Sequence, residues 1–164
     1  MGIMQRITGL VGAIGMLALI LPWSGGDAAA KHILYEDMTG EEMAALLRDW
    51  GHRADLKTDT DGDPRISSTI DGINFDILFY GCSNDHCSSI KFSAGFDLND
   101  GISAAEINDW NRNRRFGRSY IDNENDPFIQ FDINFEGGIS IDSLRAAFAT
   151  WTELLDAFKE HINF

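Results

Sequence analysis

Basic residues are scarce in this chain of 164 residues: Lys and Arg number 13 against 26 Asp and Glu, a formal charge of -13. A field of that sign repels polyphosphates at long range, so nucleic acid and anionic bilayers are excluded as primary ligands, while basic or mixed-charge protein surfaces stay open. Long apolar runs are missing too, with one exception. Arg6 precedes an apolar stretch from Gly9 to Leu21 that stops at Pro22, and small residues ending in Ala28, Ala29 and Ala30 follow. At roughly thirteen positions the run falls short of the about 20 residues that span a bilayer, and its flanks are those of a secretory signal peptide. Residues 1–30 are expected to be that signal, cut after Ala30, and residues 31–164 to form one exported domain without stable membrane insertion. An uncleaved anchor is the alternative. Cleavage removes Arg6 and Asp27 together, so the net charge is unchanged.

Cysteine occurs only twice, as Cys82 and Cys87 around Ser83, Asn84, Asp85 and His86. In an oxidising periplasmic or secreted setting the natural reading is a disulfide, worth about 2 kcal/mol because so short a loop loses little chain entropy. A zinc site lacks a fourth ligand nearby, and a redox pair would have two intervening residues at a helix start.

Catalytic signatures are absent as well. The sequence has no Gly-x-Ser-x-Gly elbow, no phosphate-cradling glycine loop and no metalloprotease helix. His32, His52, His86 and His161 are dispersed, and carboxylate pairs are too common here to single one out. Asp59, Asp61 and Asp63 alternate like the opening of a calcium loop. Pro64 then stands where that loop needs glycine, and Ile70 where it needs a bidentate glutamate, so the segment reads as a hairpin turn. No metal, no cofactor and no enzymatic activity are expected.

Thr39 with Glu42, and Ser103 with Glu106, have the spacing of capping boxes. The first opens a helix with Met43, Leu46, Leu47 and Trp50 on one face. The second opens a helix over 104–115 with Ile107, Trp110 and Phe116 inward. Extended runs at 54–58, 65–70, 73–80 and 88–96 are separated by turns such as Asp71-Gly72 and read as an antiparallel meander. Strands at 118–122 and 127–135 follow, and after Gly137-Gly138 a long helix carries Leu144, Phe148, Trp151, Leu155, Phe158 and Ile162 in one stripe. The fold class is α+β: three helices and about six antiparallel strands in the order α-β-β-β-β-α-β-β-α. Asp61-Gly62-Asp63-Pro64-Arg65-Ile66 and Glu124-Asn125-Asp126-Pro127-Phe128-Ile129 resemble each other, and two uses of one hairpin solution explain them as well as a repeat does.

Arg112, Arg114, Arg115 and Arg118 gather positive charge in one segment, where they complement a helix dipole or offer forks to a partner's carboxylates. Trp50, Trp110 and Trp151, one per helix, are first of all core residues, with Trp110 also a candidate for an aromatic partner surface.

Several segments together resemble one family. They are Thr39-Gly40-Glu41-Glu42, Asp61-Gly62-Asp63-Pro64, Phe79-Tyr80-Gly81-Cys82 with Cys87, Asn108-Asp109-Trp110-Asn111-Arg112, Arg115-Phe116-Gly117-Arg118 and Gly137-Gly138-Ile139-Ser140. They are similar to the YbjN-domain family of bacterial sensory transduction regulators, over nearly all of residues 38–162. That resemblance implies a fold similar to the type III secretion chaperones, small acidic α+β proteins that usually dimerise and bind segments of other proteins. The chaperones work in the cytoplasm, so their clients do not transfer to an exported chain, and the family brings no catalytic residues with it. The expectation is a non-enzymatic module for a protein partner, with homodimerisation as one form and Arg112, Arg114, Arg115, Arg118 and Trp110 at the contact. The alternative is a sensory domain holding a small ligand between the last helix and the sheet. A hydrolase ranks third.

Overall fold

A computed structural model describes residues 34–164, and the signal-peptide expectation for residues 1–30 lies outside them. The elements are β1 (Leu34–Tyr35), α1 (Gly40–Asp49), β2 (Asp55–Thr58), β3 (Pro64–Ile70), β4 (Ile73–Ser83), β5 (His86–Gly95), α2 (Ala104–Asn113), β6 (Arg118–Ile121), β7 (Pro127–Asn134), β8 (Ile139–Ser140) and α3 (Ile141–His161). This is the expected α+β class and element order, with a small additional ladder in which β1 pairs with β8.

Both capping boxes form. The Glu42 N–H donates to Thr39 Oγ1 (3.2 Å) while the Thr39 N–H donates to the Glu42 carboxylate (2.9 Å), and Ser103 and Glu106 repeat the exchange. These side chains satisfy N–H groups that a helix start leaves without partners. The second helix ends earlier than expected, at Asn113, because Arg114 takes extended backbone angles (φ -112°, ψ 139°). Phe116, expected inward, is 44 % exposed.

The large sheet is antiparallel throughout, in the order β2-β3-β4-β5-β7-β6. Its central hairpin, β4–β5, overruns the expected strand ends, since Cys82 and Cys87 stand directly opposite each other and are joined by a disulfide. Met38 exchanges backbone hydrogen bonds with Cys87 (3.0 Å each way) and so covers the β5 edge beyond the point where β7 leaves it.

All three helices lie on one face of this sheet. Phe75 of β4 and Phe92 of β5 meet Trp151 of α3 at ring separations of 5.9 and 5.5 Å. Trp50 at the end of α1 meets Phe148 (5.5 Å), and Trp110 of α2 meets Phe158 (4.9 Å). Trp50 and Trp110 thus join the core through phenylalanines of α3, and Trp151 joins it through phenylalanines of the sheet. Each large side chain buried there contributes about 1.5–3 kcal/mol of transfer free energy.

The hairpin resemblance extends well beyond the turns. In one, Asp59 accepts from the N–H groups of Asp61 (2.9 Å) and Asp63 (3.0 Å); in the other, Asp122 accepts from those of Glu124 (2.8 Å) and Asp126 (2.9 Å). A proline then begins the inner strand, and Asp55↔Ser67 and Arg118↔Gln130 close the two registers equivalently. One sequence offset separates Asp59 from Asp122, Pro64 from Pro127 and Ser67 from Gln130. A capped helix, strand, Asp turn and proline-led strand therefore occur twice, once on each flank of the β4–β5 hairpin.

Candidate functional site

Strand alternation sends one set of side chains to the helices and the other to the face of the sheet that no helix among the described residues covers. Across that open face the registers align Asp55, Ser67, Asp76, Ser93, Gln130 and Arg118 in one row, a residue from each of the six strands. The row is bonded in two segments, Ser67 with Asp76 and Ser93 with Gln130 and Arg118. Ser67 Oγ donates to Asp76 (2.8 Å), Arg65 donates to the other Asp76 oxygen (2.6 Å), Gln130 Nε2 donates to Ser93 Oγ (3.3 Å), and Arg118 donates to Gln130 Oε1 (2.6 Å). A groove of about 480 Å³ runs along the β2–β5 part, with Arg65, Ser67, Asp76 and Ser93 in its wall. Phe128 forms its end, because Gly95 opposite has no side chain; a Cβ there would stand 2.6 Å from the ring.

The electrostatics of this face differ from those of the whole chain. Lys57, Arg65, Lys91 and Arg118 lie on it with Asp55, Asp76 and Asp132, so cations hold a slight majority in a chain with twice as many acids as bases. The hydrogen bond to Asp76, and then its charge, raise the pKa of Arg65. Arg53 and Asp55 form an exposed ion pair, and the hydrogen bond from Arg53 holds the Asp55 carboxyl below its ordinary value. Two aromatic side chains break the polar surface: Tyr80, with Lys91 over its ring (4.5 Å), and Tyr120, stacked on Phe128 (5.2 Å).

Arg118 links this face to the arginine segment named from sequence. Arg112, Arg114 and Arg115 are exposed at the end of α2. The Arg114 guanidinium lies over Trp110 (4.8 Å) and that of Arg115 over Phe116 (4.9 Å), contacts that hold two long side chains in defined positions. Trp110 itself is 1 % exposed, which corrects its reading as a contact residue. Its indole fills the space against Phe158 and His161, and it acts on the surface only by seating Arg114. Asn111 fixes the geometry from below. Its Nδ2 donates to the Ser119 carbonyl (3.0 Å) and its Oδ1 accepts from the Ser119 N–H (2.9 Å), clamping β6 against α2. Beside the segment is a shallow pocket of about 500 Å³ against β7.

The disulfide hairpin is a separate feature. His86 Nδ1 bonds to Asp37 (2.9 Å), and this bond, then the charge of Asp37, raises the His86 pKa. Among the described residues no group of His, Cys, Asp and Glu is arranged to hold a metal ion. The Asp59 carboxylate, the first of the calcium-like trio, is engaged with backbone N–H groups of its turn. Between α3 and the sheet, where the small-ligand reading would place its site, Phe75, Phe92, Phe148 and Trp151 are packed at 4 % exposure or less.

Sequence reasoning named the arginines but not the polar row or the clamp made by Asn111. Alternation within each strand marks Ser67, Asp76, Ser93 and Gln130 as outward-facing; that they align depends on registers between distant strands. A scan of protein-family models matches residues 39–164 to YbjN, described as "Putative bacterial sensory transduction regulator". A search of curated proteins returned no match. The matched span takes in all of α1 through α3, with the arginine segment and the row across the open face inside it, and the chain belongs to the YbjN family.

Proposed function

We propose that this chain is an exported, non-enzymatic regulatory module that recognises a protein partner in a chaperone-like manner, over the helix-free face of its sheet and the arginine segment beside it. The observation that carries the reading is the face itself: six strands wide, with a bonded polar row, exposed Tyr80 and Tyr120, and a cationic balance in an anionic chain. Tyrosine and arginine on a preformed surface are the residue types that dominate protein contacts. The partner is then a protein segment rich in carboxylates, with Arg112, Arg114, Arg115 and Arg118 as the charged rim. The periplasm or the exterior suits the disulfide. Homodimerisation through another surface is compatible with this use of the face.

Site-specific photocrosslinking tests it. A photoreactive residue replacing Tyr80 or Tyr120 is expected to trap one discrete protein species in the native envelope, identified by mass spectrometry. The same residue replacing exposed Asp156 on α3 is expected to trap none. Equal labelling from all three positions, or stabilisation by a small molecule with no protein adduct, overturns the proposal.

A further inference from the structure

Strand β7, with 8 residues, is longer than β6, with 4, which flanks it on its outer side. The Phe135 N–H donates to Ser88 (2.9 Å) and the Phe96 N–H donates to Pro127 (3.0 Å), so odd-numbered residues of this segment turn their backbone groups toward β5. Antiparallel ladders alternate, and the even-numbered residues turn theirs the other way. There Phe128 and Gln130 meet Tyr120 and Arg118 of β6, but β6 begins at Arg118. Asp132 and Asn134 therefore present main-chain donors and acceptors that no strand among the described residues faces. The shallow pocket occupies the line along which β6 would continue, with Arg114, Arg115, Phe116 and Arg118 around it and Phe131 and Asp132 at its base.

We infer that this edge receives an extended, carboxylate-bearing strand of the partner protein, added to β7 in line with β6. The inference rests on the partner-binding reading above and names how the partner is held. Two independent observations converge on it. The first is the row of unpaired backbone groups, which an extended peptide satisfies residue by residue. The second is charge. Among the described residues Arg112, Arg114 and Arg115 make no ion pair, although the chain carries 26 Asp and Glu. Arg114 and Arg115 are instead held over aromatic rings beside the slot, ready for carboxylates from outside. A second copy of this chain fits less well, because it would bring another arginine cluster and another net charge of -13 to the same contact. The slot spans about four residues from Phe131 to Asn134, roughly 13 Å of strand.

The probe is a fluorescein-labelled octapeptide alternating Thr and Glu, titrated with the purified full chain and followed by fluorescence anisotropy. Saturable binding is expected, and the peptide with Lys in place of Glu, or with alternate amides N-methylated, is expected not to bind. Asp132→Pro removes the outward N–H at a position where an edge strand tolerates proline, and should weaken binding at least about tenfold. Arg114→Glu with Arg115→Glu should do the same. Circular dichroism checks that each variant folds; if Asp132→Pro does not, the N-methylated peptide on the unaltered chain asks the same question. Failure of the Thr-Glu peptide to bind, equal binding of its N-methylated form, or a concentration-dependent dimer that Asp132→Pro abolishes overturns the inference. If the Tyr80 and Tyr120 crosslinks persist in Asp132→Pro while the peptide does not bind, only the edge reading falls. If those crosslinks are absent from the unaltered chain, the partner reading falls with it.

Discussion

Asn111 is the residue on which the position of the arginine segment depends, and its replacement gives the sharpest test of the geometry. Asn111→Ala removes two hydrogen bonds to the backbone of Ser119, a residue 7 % exposed. Each bond contributes about 1 kcal/mol net, and a Ser119 N–H left without a partner in that setting adds about 1 kcal/mol or more. Asn111 itself is exposed, so water reaches part of the gap, and the expected loss is about 2 kcal/mol. Asn111→Asp separates the two bonds. It keeps the acceptor for the Ser119 N–H but sets a carboxylate oxygen against the Ser119 carbonyl, so it should be no more stable than Asn111→Ala. Urea denaturation followed by tryptophan fluorescence measures both, and a loss of about 2 kcal/mol moves the midpoint by about 1 M at a typical slope. If Asn111→Ala costs less than about 0.5 kcal/mol, or Asn111→Asp retains full stability, the clamp is not what holds β6 to α2, and the placement of Arg114 needs another cause.

Replacing Cys82 and Cys87 together by Ser should lower stability by about 2 kcal/mol, the entropy of one short loop, while leaving the far-ultraviolet circular dichroism intact; complete unfolding would show that the bridge does more than pin the hairpin. The His86 pKa is raised in the fold chiefly by its hydrogen bond to Asp37, so the contribution of this pair is fully present below the ordinary histidine value and fades as pH rises through the elevated one. Titration of the His86 ring by NMR should show that elevation, and Asp37→Asn should abolish it; an unchanged titration in Asp37→Asn would reject the assignment. Gly95→Ala should cost about 1–3 kcal/mol by forcing the Phe128 ring off Tyr120, and the double variant with Phe128→Leu should recover part of that cost; strictly additive losses in thermal unfolding would show that the close approach is not the cause.

What could be read from the residues alone was whatever is decided within a few positions of chain. Thr39 with Glu42 and Ser103 with Glu106 announced both helix starts, because a capping box closes on itself. Asp61 to Pro64 and Cys82 with Cys87 were legible for the same reason. Features that depend on distant partners were not. Leu34–Tyr35 has no strand character of its own and becomes β1 only beside Ile139–Ser140. Trp110 read first as core and also as a candidate for the surface, and its burial follows from the Phe158 that α3 supplies. Arg114 lies within the helical pattern of α2, yet leaves it to place its guanidinium on Trp110. The site suffered most, since the polar row exists only through five registers between strands that local pattern cannot align.

The duplicated unit leaves the sheet with matching shortfalls at both borders, since β2 stops short of Ser68 to Ile70 just as β6 stops short of Phe131 to Asn134. On the first border Ser68 Oγ donates to the Arg53 carbonyl and Arg48 to the Ala54 carbonyl, so the chain entering β2 is tied both to the inner strand and to α1. On the other border Asn111, at the same offset from Arg48, ties β6 to α2 through Ser119, so each half of the molecule anchors its outermost strand to its own helix and loosening one half can be gauged against its sibling.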